Sequence, residues 1–146
     1  MPFNQLINAQ QVEASIAGPE DTNRLYLCSG LAQGYFSLTA QSGQWQNASD
    51  IWQFGVGPQL DAGQFRRATA TASFAGLQES DPGPGSTSWA IQMVFADFDD
   101  DSGKVRVSVQ NTVQVYNQMP LGGGEYSGAG VSTLAYNVSI LAAIPA

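Results

Sequence analysis

A chain of 146 residues with no histidine and a single cysteine has few of the groups that enzymes and metal sites use. The lack of histidine excludes histidine-based catalytic triads and most transition-metal sites, and the lone Cys28 excludes an internal disulfide and a cysteine zinc site. Charged residues make up only 12% of the chain and sum to −7, which argues against a basic surface that binds nucleic acid.

The length suits one domain, which can bury a sizeable core without disulfides or metal. We therefore predict a single β domain over residues 1–146, in which 1–22 form an N-terminal arm. No apolar run is long enough to span a membrane, and the N-terminus has neither the basic region nor the apolar block of a signal peptide. We expect synthesis in the cytoplasm, with release from the cell and association with a particle both left open.

Strand signals follow one another through the first half of the chain. Residues 1–22 carry no clear period and predict either one or two amphipathic helical turns or an edge strand. RLYLC (24–28) and GYFSLTA (34–40) predict two short strands, because glycines break the chain around them. Residues 66–77 alternate small apolar with hydroxyl side chains, which predicts a long strand closely packed by another sheet or a partner. Prolines and glycines at 78–87 predict an exposed loop.

The clearest signal is the stretch 88–116, which predicts two long strands joined by a tight acidic turn. In its second arm Asn111 is the one polar interruption of an alternating apolar series. That series consists of Val105, Val107, Val109, Val113 and Val115. A period of two with β-branched residues on one side predicts a half-buried strand. Both faces of the first arm are largely apolar, so we predict that this arm is a central strand.

The remainder combines a glycine-rich stretch with a final strand. The glycine density of 117–130 predicts an irregular and mobile surface, and the alternation after residue 130 predicts a strand that runs almost to the C-terminus. Six to eight strands without a convincing helix predict an all-β, antiparallel sandwich, such as a jelly roll. A small barrel is the alternative architecture.

Three segments of the C-terminal half resemble the small six-stranded sandwiches of the H-type lectins. They are a strand entering an acidic turn (FADFDDDSG, 95–103), an alternating strand (KVRVSVQNTV, 104–113) and a closing strand with an aliphatic pair (NVSILAAI, 137–144). The resemblance covers less than half of the chain and lacks the aromatic residues expected before the last strand. It implies a sandwich of that kind, and no binding residue is transferred from it.

A cluster of aromatic and amide side chains is the candidate ligand site. It consists of Trp45, Gln46, Asn47, Asp50 and Trp52. The face of an indole stacks on the C–H face of a sugar ring, while amide and carboxylate groups bond its hydroxyls. This composition predicts a carbohydrate site. The alternative is that both tryptophans are core residues near a strand end, since large aromatic side chains are usually well buried.

The acidic turn is the candidate metal site. Asp97, Asp99 and Asp101 alternate and could supply oxygen ligands to calcium. The spacing is not that of an EF-hand, because Gly103 comes one position late and Ser108 stands where the bidentate glutamate belongs. A hairpin turn with solubilising carboxylates explains the same residues. We favour that interpretation and expect neither a metal nor another cofactor.

These observations predict a binding protein rather than an enzyme. The first hypothesis is an oligomeric, lectin-like module whose partner is a glycan. The second is a structural subunit of a virion, phage tail or other self-assembling particle, whose partners are its own copies. The third is a small barrel that binds a hydrophobic compound. Which of them holds depends on the architecture and on which aromatic side chains reach the surface.

Overall fold

The computed structural model describes residues 5–17, 22–80, 85–120 and 124–144, and all regular structure in them is β-strand. The strands are β1 (Gln5–Ala17), β2 (Thr22–Gln41), β3 (Trp45–Val56), β4 (Phe65–Ser80), β5 (Gly85–Asp99), β6 (Lys104–Asn117) and β7 (Tyr126–Ile144). They form a four-stranded sheet in the order β1-β2-β7-β4 and a three-stranded sheet in the order β3-β6-β5. The predicted antiparallel sandwich is confirmed. The two separate sheets show that the barrel alternative was wrong.

The predicted acidic hairpin is the pair β5–β6, which is antiparallel along its length. Gly103 adopts a φ of 71° at the turn, in the left-handed region that favours glycine, and its N–H donates to the Asp99 carbonyl at 2.8 Å. The prediction that the first arm is a central strand was wrong, because β5 is an edge strand and β6 is central. The side of β5 that carries Met93 and Phe95 is exposed to solvent.

A β-bulge in β5 explains why strict alternation did not predict which side chains of this strand face the core. The pairing with β6 shifts between Ile91 and Met93, so one residue of β5 has no partner there. Ile91 and Val94 therefore both pair with residues of the inward-facing series of β6, although an odd number of positions separates them. The bulge keeps the core continuous and turns Met93 and Phe95 to the outside.

Two glycine-containing regions are regular strand where we predicted breaks. The predicted short strands 24–28 and 34–40 are one strand, β2, with a register shift between Gln33 and Phe36. The irregular region predicted at 117–130 was also wrong in part, because β7 begins at Tyr126 and includes two of the glycines. Strands β2 and β4 pair with β7 on both sides at Gly128 and Gly130, and β1 and β7 pair with β2 on both sides as far as Gln33, which offsets the conformational freedom of glycine there.

The loop predicted at 78–87 is also shorter than expected. The strand predicted at 66–77 runs on to Ser80, and β5 begins at Gly85, so most of the loop predicted at 78–87 is strand. Residues 81–84 and 121–123, the latter including Gly122 and Gly123, lie outside the described residues. Of the two structures predicted for the N-terminal arm, the edge strand is confirmed by β1.

The core lies between the inner faces of β6 and β7. The five alternating valines of β6 are fully enclosed, and β7 contributes the largest aliphatic side chains opposite them, Leu134 and Ile140. Trp52 of β3 completes this layer and is also fully buried. The alanines of β4 predicted to meet a second sheet pack against this core.

Strand β6 carries two fully buried asparagines in opposite situations. The Asn117 amide donates to the carbonyls of Ala40 and Glu125, each at 3.2 Å, and its Oδ1 accepts from the Met119 N–H at 2.9 Å. The Asn111 amide, in the middle of the valine series, makes no hydrogen bond within the described residues. The first amide therefore stabilises one end of the sandwich, whereas the second carries the cost of burial without a partner.

We predict that Asn117→Ala lowers the free energy of unfolding by about 2–3 kcal/mol, because two buried carbonyls and one N–H lose their partner. The matched substitution, Asn111→Val, should raise the free energy of unfolding by about 1–2 kcal/mol, because it removes an unpartnered amide and extends the valine series. Urea unfolding of both variants measures these values. Destabilisation by Asn111→Val would show that this amide is partnered after all.

Candidate functional site

The alternation of β3 separates the predicted ligand residues onto two faces. Trp45 and Trp52 are an odd number of positions apart, so they point in opposite directions from the strand. Trp52 pairs with Val109 of the core and is 0% exposed, so it cannot offer its ring to a ligand. Gln46 and Asp50 share the side of Trp52, because their partners on β6 are inward-facing. Only Trp45 and Asn47 of the predicted set lie on the outer face.

An aromatic pair lies at one end of this outer face. Trp45 is 56% exposed and is paired in register with Tyr116 of β6. The two ring centroids are 5.7 Å apart, with the planes tilted by 48°. This separation is within the range of favourable aromatic contacts, so Tyr116 supports the exposed indole from one side. Tyr116 was not among the predicted site residues, although the alternation of β6 places it on the side opposite the valines.

The neighbouring positions on the same face are uncharged and hydrogen-bonding. The next cross-strand row consists of Asn47, Gln114 and Ser88. Within it the Ser88 hydroxyl donates to the Gln114 carbonyl oxygen at 3.4 Å. In the following row the hydroxyls of Ser49 and Thr112 are 2.8 Å apart and share a hydrogen bond. The aromatic pair therefore borders a surface of amides and hydroxyls.

The turn that precedes Trp45 is fixed by hydrogen bonds to other strands. The Gly43 N–H donates to the Asn117 carbonyl at 2.9 Å, and the Asn117 N–H donates to the Gln44 carbonyl at 3.0 Å. The Ser42 hydroxyl donates to the Glu125 carbonyl at 3.1 Å and accepts from the Glu125 N–H at 3.2 Å. These contacts hold the start of β3, and with it Trp45, in one position relative to β6.

The acidic turn uses its carboxylates to stabilise the hairpin. Asp97 accepts from the Arg106 guanidinium at 3.0 Å, across the β5–β6 pair. Asp99 accepts from the Ser102 hydroxyl at 2.8 Å and from the Asp101 N–H at 3.3 Å. The Ser102 hydrogen bond is the main reason that the pKa of Asp99 lies below its ordinary value. Among the described residues, no three His, Cys, Asp or Glu side chains are grouped to hold a metal ion.

A cleft of about 220 Å³ opens between β1 and β3. Its lining includes Gln11, Cys28, Lys104 and Tyr136. Burial raises the pKa of the Cys28 thiol. Burial, and secondly the neighbouring Cys28, raise the pKa of the Tyr136 hydroxyl. Both groups are therefore protonated at neutral pH, so the thiol in this cleft is not present as a nucleophilic thiolate.

No protein-family model, curated protein or solved structure matches the chain. Within the ranges that the structure describes, no helix has the length and apolar character needed to cross a membrane.

We predict that Ser102→Ala lowers the melting temperature slightly at about pH 6, and that this difference becomes smaller as the pH is lowered and the Asp99 carboxyl becomes protonated. The Asp99 carboxyl has a folded pKa below its unfolded value, so its stabilisation is present above the unfolded value and is lost as the pH falls through the folded one. Thermal unfolding of the wild type and the variant across this range measures the difference. A difference in melting temperature that does not change with pH would contradict the assignment to Asp99.

Proposed function

We propose that the protein is a non-enzymatic carbohydrate-binding module. Its saccharide lies on the outer face of the β3-β6-β5 sheet, over Trp45 and Tyr116. The observation that carries this proposal is the exposed Trp45 ring, held against Tyr116 and followed by rows of amide and hydroxyl side chains. A soluble sheet face has no need of an exposed tryptophan for its own stability, whereas a sugar ring can use its flat apolar surface.

The chemistry of the neighbouring rows favours an uncharged saccharide. Asn47 and Gln114 each offer both donors and acceptors, which suits hydroxyls that themselves donate and accept. The Arg106–Asp97 ion pair lies towards the opposite end of β6, where Arg106 is paired in register with Gly55 of β3. A ligand that covers Trp45 and the next two rows therefore meets no charged side chain among the described residues of this face.

The site is also prepared for binding before a ligand arrives. The indole rests on Tyr116, and the turn before it is held by backbone and side-chain hydrogen bonds to β6 and Glu125. Side chains that are already ordered lose little conformational freedom on association, so more of the contact energy contributes to affinity. Strand-borne side chains suit this role better than those of a flexible loop.

We predict that Trp45→Ala weakens saccharide binding about tenfold, equivalent to ~1.4 kcal/mol, because it removes the stacking surface. The measurement is a glycan array that identifies a ligand, followed by titration calorimetry with that ligand. Trp45→Phe should retain part of the affinity, since it keeps an aromatic face.

The matched control is Ile51→Ala, which truncates an exposed apolar side chain on the same face of β3, three rows away from Trp45. It should leave affinity unchanged. The proposal is wrong if no glycan binds the wild-type protein, or if Trp45→Ala binds as tightly as Ile51→Ala.

The second candidate function, a structural subunit, is favoured by an apolar patch on the other sheet. Val12 of β1 is 62% exposed and is paired with Leu27 of β2, which is also exposed. Leu25 and Leu141 lie beside this pair on the same outer face. Exposed apolar side chains grouped on one sheet face are typical of surfaces that other protein copies cover.

For this candidate we predict that the wild type assembles at micromolar concentration and that Val12→Gln together with Leu27→Gln yields monomers, because the apolar contact is lost. Multi-angle light scattering measures both masses. Replacing the exposed Met93 on the other sheet by Gln is the control and should not change the mass. A monomeric wild-type protein would count against the structural role.

A further inference from the structure

We propose a second saccharide site, a groove on the outer face of the β1-β2-β7-β4 sheet. Its occupant would be a neutral, extended oligosaccharide. The class of ligand rests on the proposed function, but the groove is a different surface from the Trp45 face. The groove has a volume of about 200 Å³ and lies over β7, between side chains of β2 and β4.

The floor of the groove is made by two glycines in the central strand of the sheet. One cross-strand row reads Ser37, Gly130 and Gln78, and the next reads Thr39, Gly128 and Ser80. In each row the middle position has no side chain, whereas both flanking positions carry one. The concavity is therefore a direct result of glycine in β7, in the segment that sequence reasoning assigned to an irregular loop.

One exposed tyrosine lines the groove, and a second lies just beyond one end of it. Tyr35 lines it and is 64% exposed, at the register shift of β2. Tyr126 lies on the same outer face one row beyond Gly128, is 55% exposed, and accepts a hydrogen bond from the Gln41 amide at 3.3 Å. The side chains that flank the two glycines in their rows are three hydroxyls and an amide, from Ser37, Thr39, Ser80 and Gln78. Aromatic faces beside neutral hydrogen-bonding groups are the same chemistry as the Trp45 face.

Other classes of ligand fit this groove less well. An added peptide strand needs a free sheet edge, but β7 is paired on both sides, so its backbone groups are already bonded. A nucleic acid needs cations, and no lysine or arginine is among the lining residues that the structure describes. Among the described lining residues, the charged one is Glu79, whose carboxylate accepts a hydrogen bond from Thr87.

The two glycines respond differently to an added side chain, which provides a test. A Cβ at Gly130 would come within 2.7 Å of the Phe36 carbonyl oxygen, so substitution there would disturb the strand. A Cβ at Gly128 would have its nearest neighbour at 3.6 Å, the Thr39 methyl group, which is ordinary contact. Gly128→Ala should therefore keep the fold and raise the floor of the groove.

The experiment is an NMR titration of the ¹⁵N-labelled protein with three neutral sugars in turn: cellohexaose, maltohexaose and hexa-N-acetylchitohexaose. The backbone amides of Gly128 and Gly130 report on the groove, and the Trp45 indole N–H reports on the other face. We expect one of these sugars to shift both sets of signals. Gly128→Ala should weaken binding at the groove about tenfold and leave the response of Trp45 unchanged. Gly63→Ala, the same change in open space, is the control.

The outcomes of this titration distinguish the groove site from the Trp45 site. Shifts at Trp45 alone overturn the groove and leave the proposed function intact. Shifts at the groove alone support it and overturn the assignment of the Trp45 face. If no hexasaccharide shifts either set, both proposals fail. If Gly128→Ala does not fold, Tyr35→Ala removes an exposed wall side chain instead, and unchanged affinity at the groove signals in that variant contradicts the proposal.

Discussion

The packing of the alternating valines of β6 against β7 is the constraint on which the rest of the structure depends. Side chains alternate along a strand, so a register that places Val115 in the core must place Gln114 and Tyr116 on the outer face. The same register determines the outward side of β3 and therefore the exposure of Trp45. The proposed binding face is thus a consequence of core packing. A slip of one residue would exchange the two faces of the sheet.

The end of the sandwich at the β2–β3 turn connects both proposed surfaces to this core. The enclosed Asn117 amide ties the end of β2 to the segment before β7, and its backbone pairs with the turn. Trp45 follows the turn on one sheet, while Gln41 precedes it beside Tyr126 on the other. Two saccharide surfaces on opposite faces near one end would allow one module to hold two chains, or one chain twice with increased avidity.

Sequence reasoning reached the fold because the signals of its strongest hairpin are local. The valine series and the acidic turn identify β5 and β6 without knowledge of any partner strand. The continuity of β2 and the strand at Gly128 and Gly130 could not be read locally, since the neighbouring strands that hold these glycines lie far away in the sequence. The opposite directions of Trp45 and Trp52 were readable from their odd spacing. The contact of Trp45 with Tyr116 was not, because it depends on the β3–β6 register.

The measurement that tests this account most directly is a crystal structure of the protein with the neutral oligosaccharide that binds it. We expect a sugar ring stacked on the Trp45 indole, with ring hydroxyls within hydrogen-bonding distance of Asn47 and Gln114. Sugar density confined to another region, such as the cleft that Cys28 and Tyr136 line, with the Trp45 face open to solvent, would contradict it.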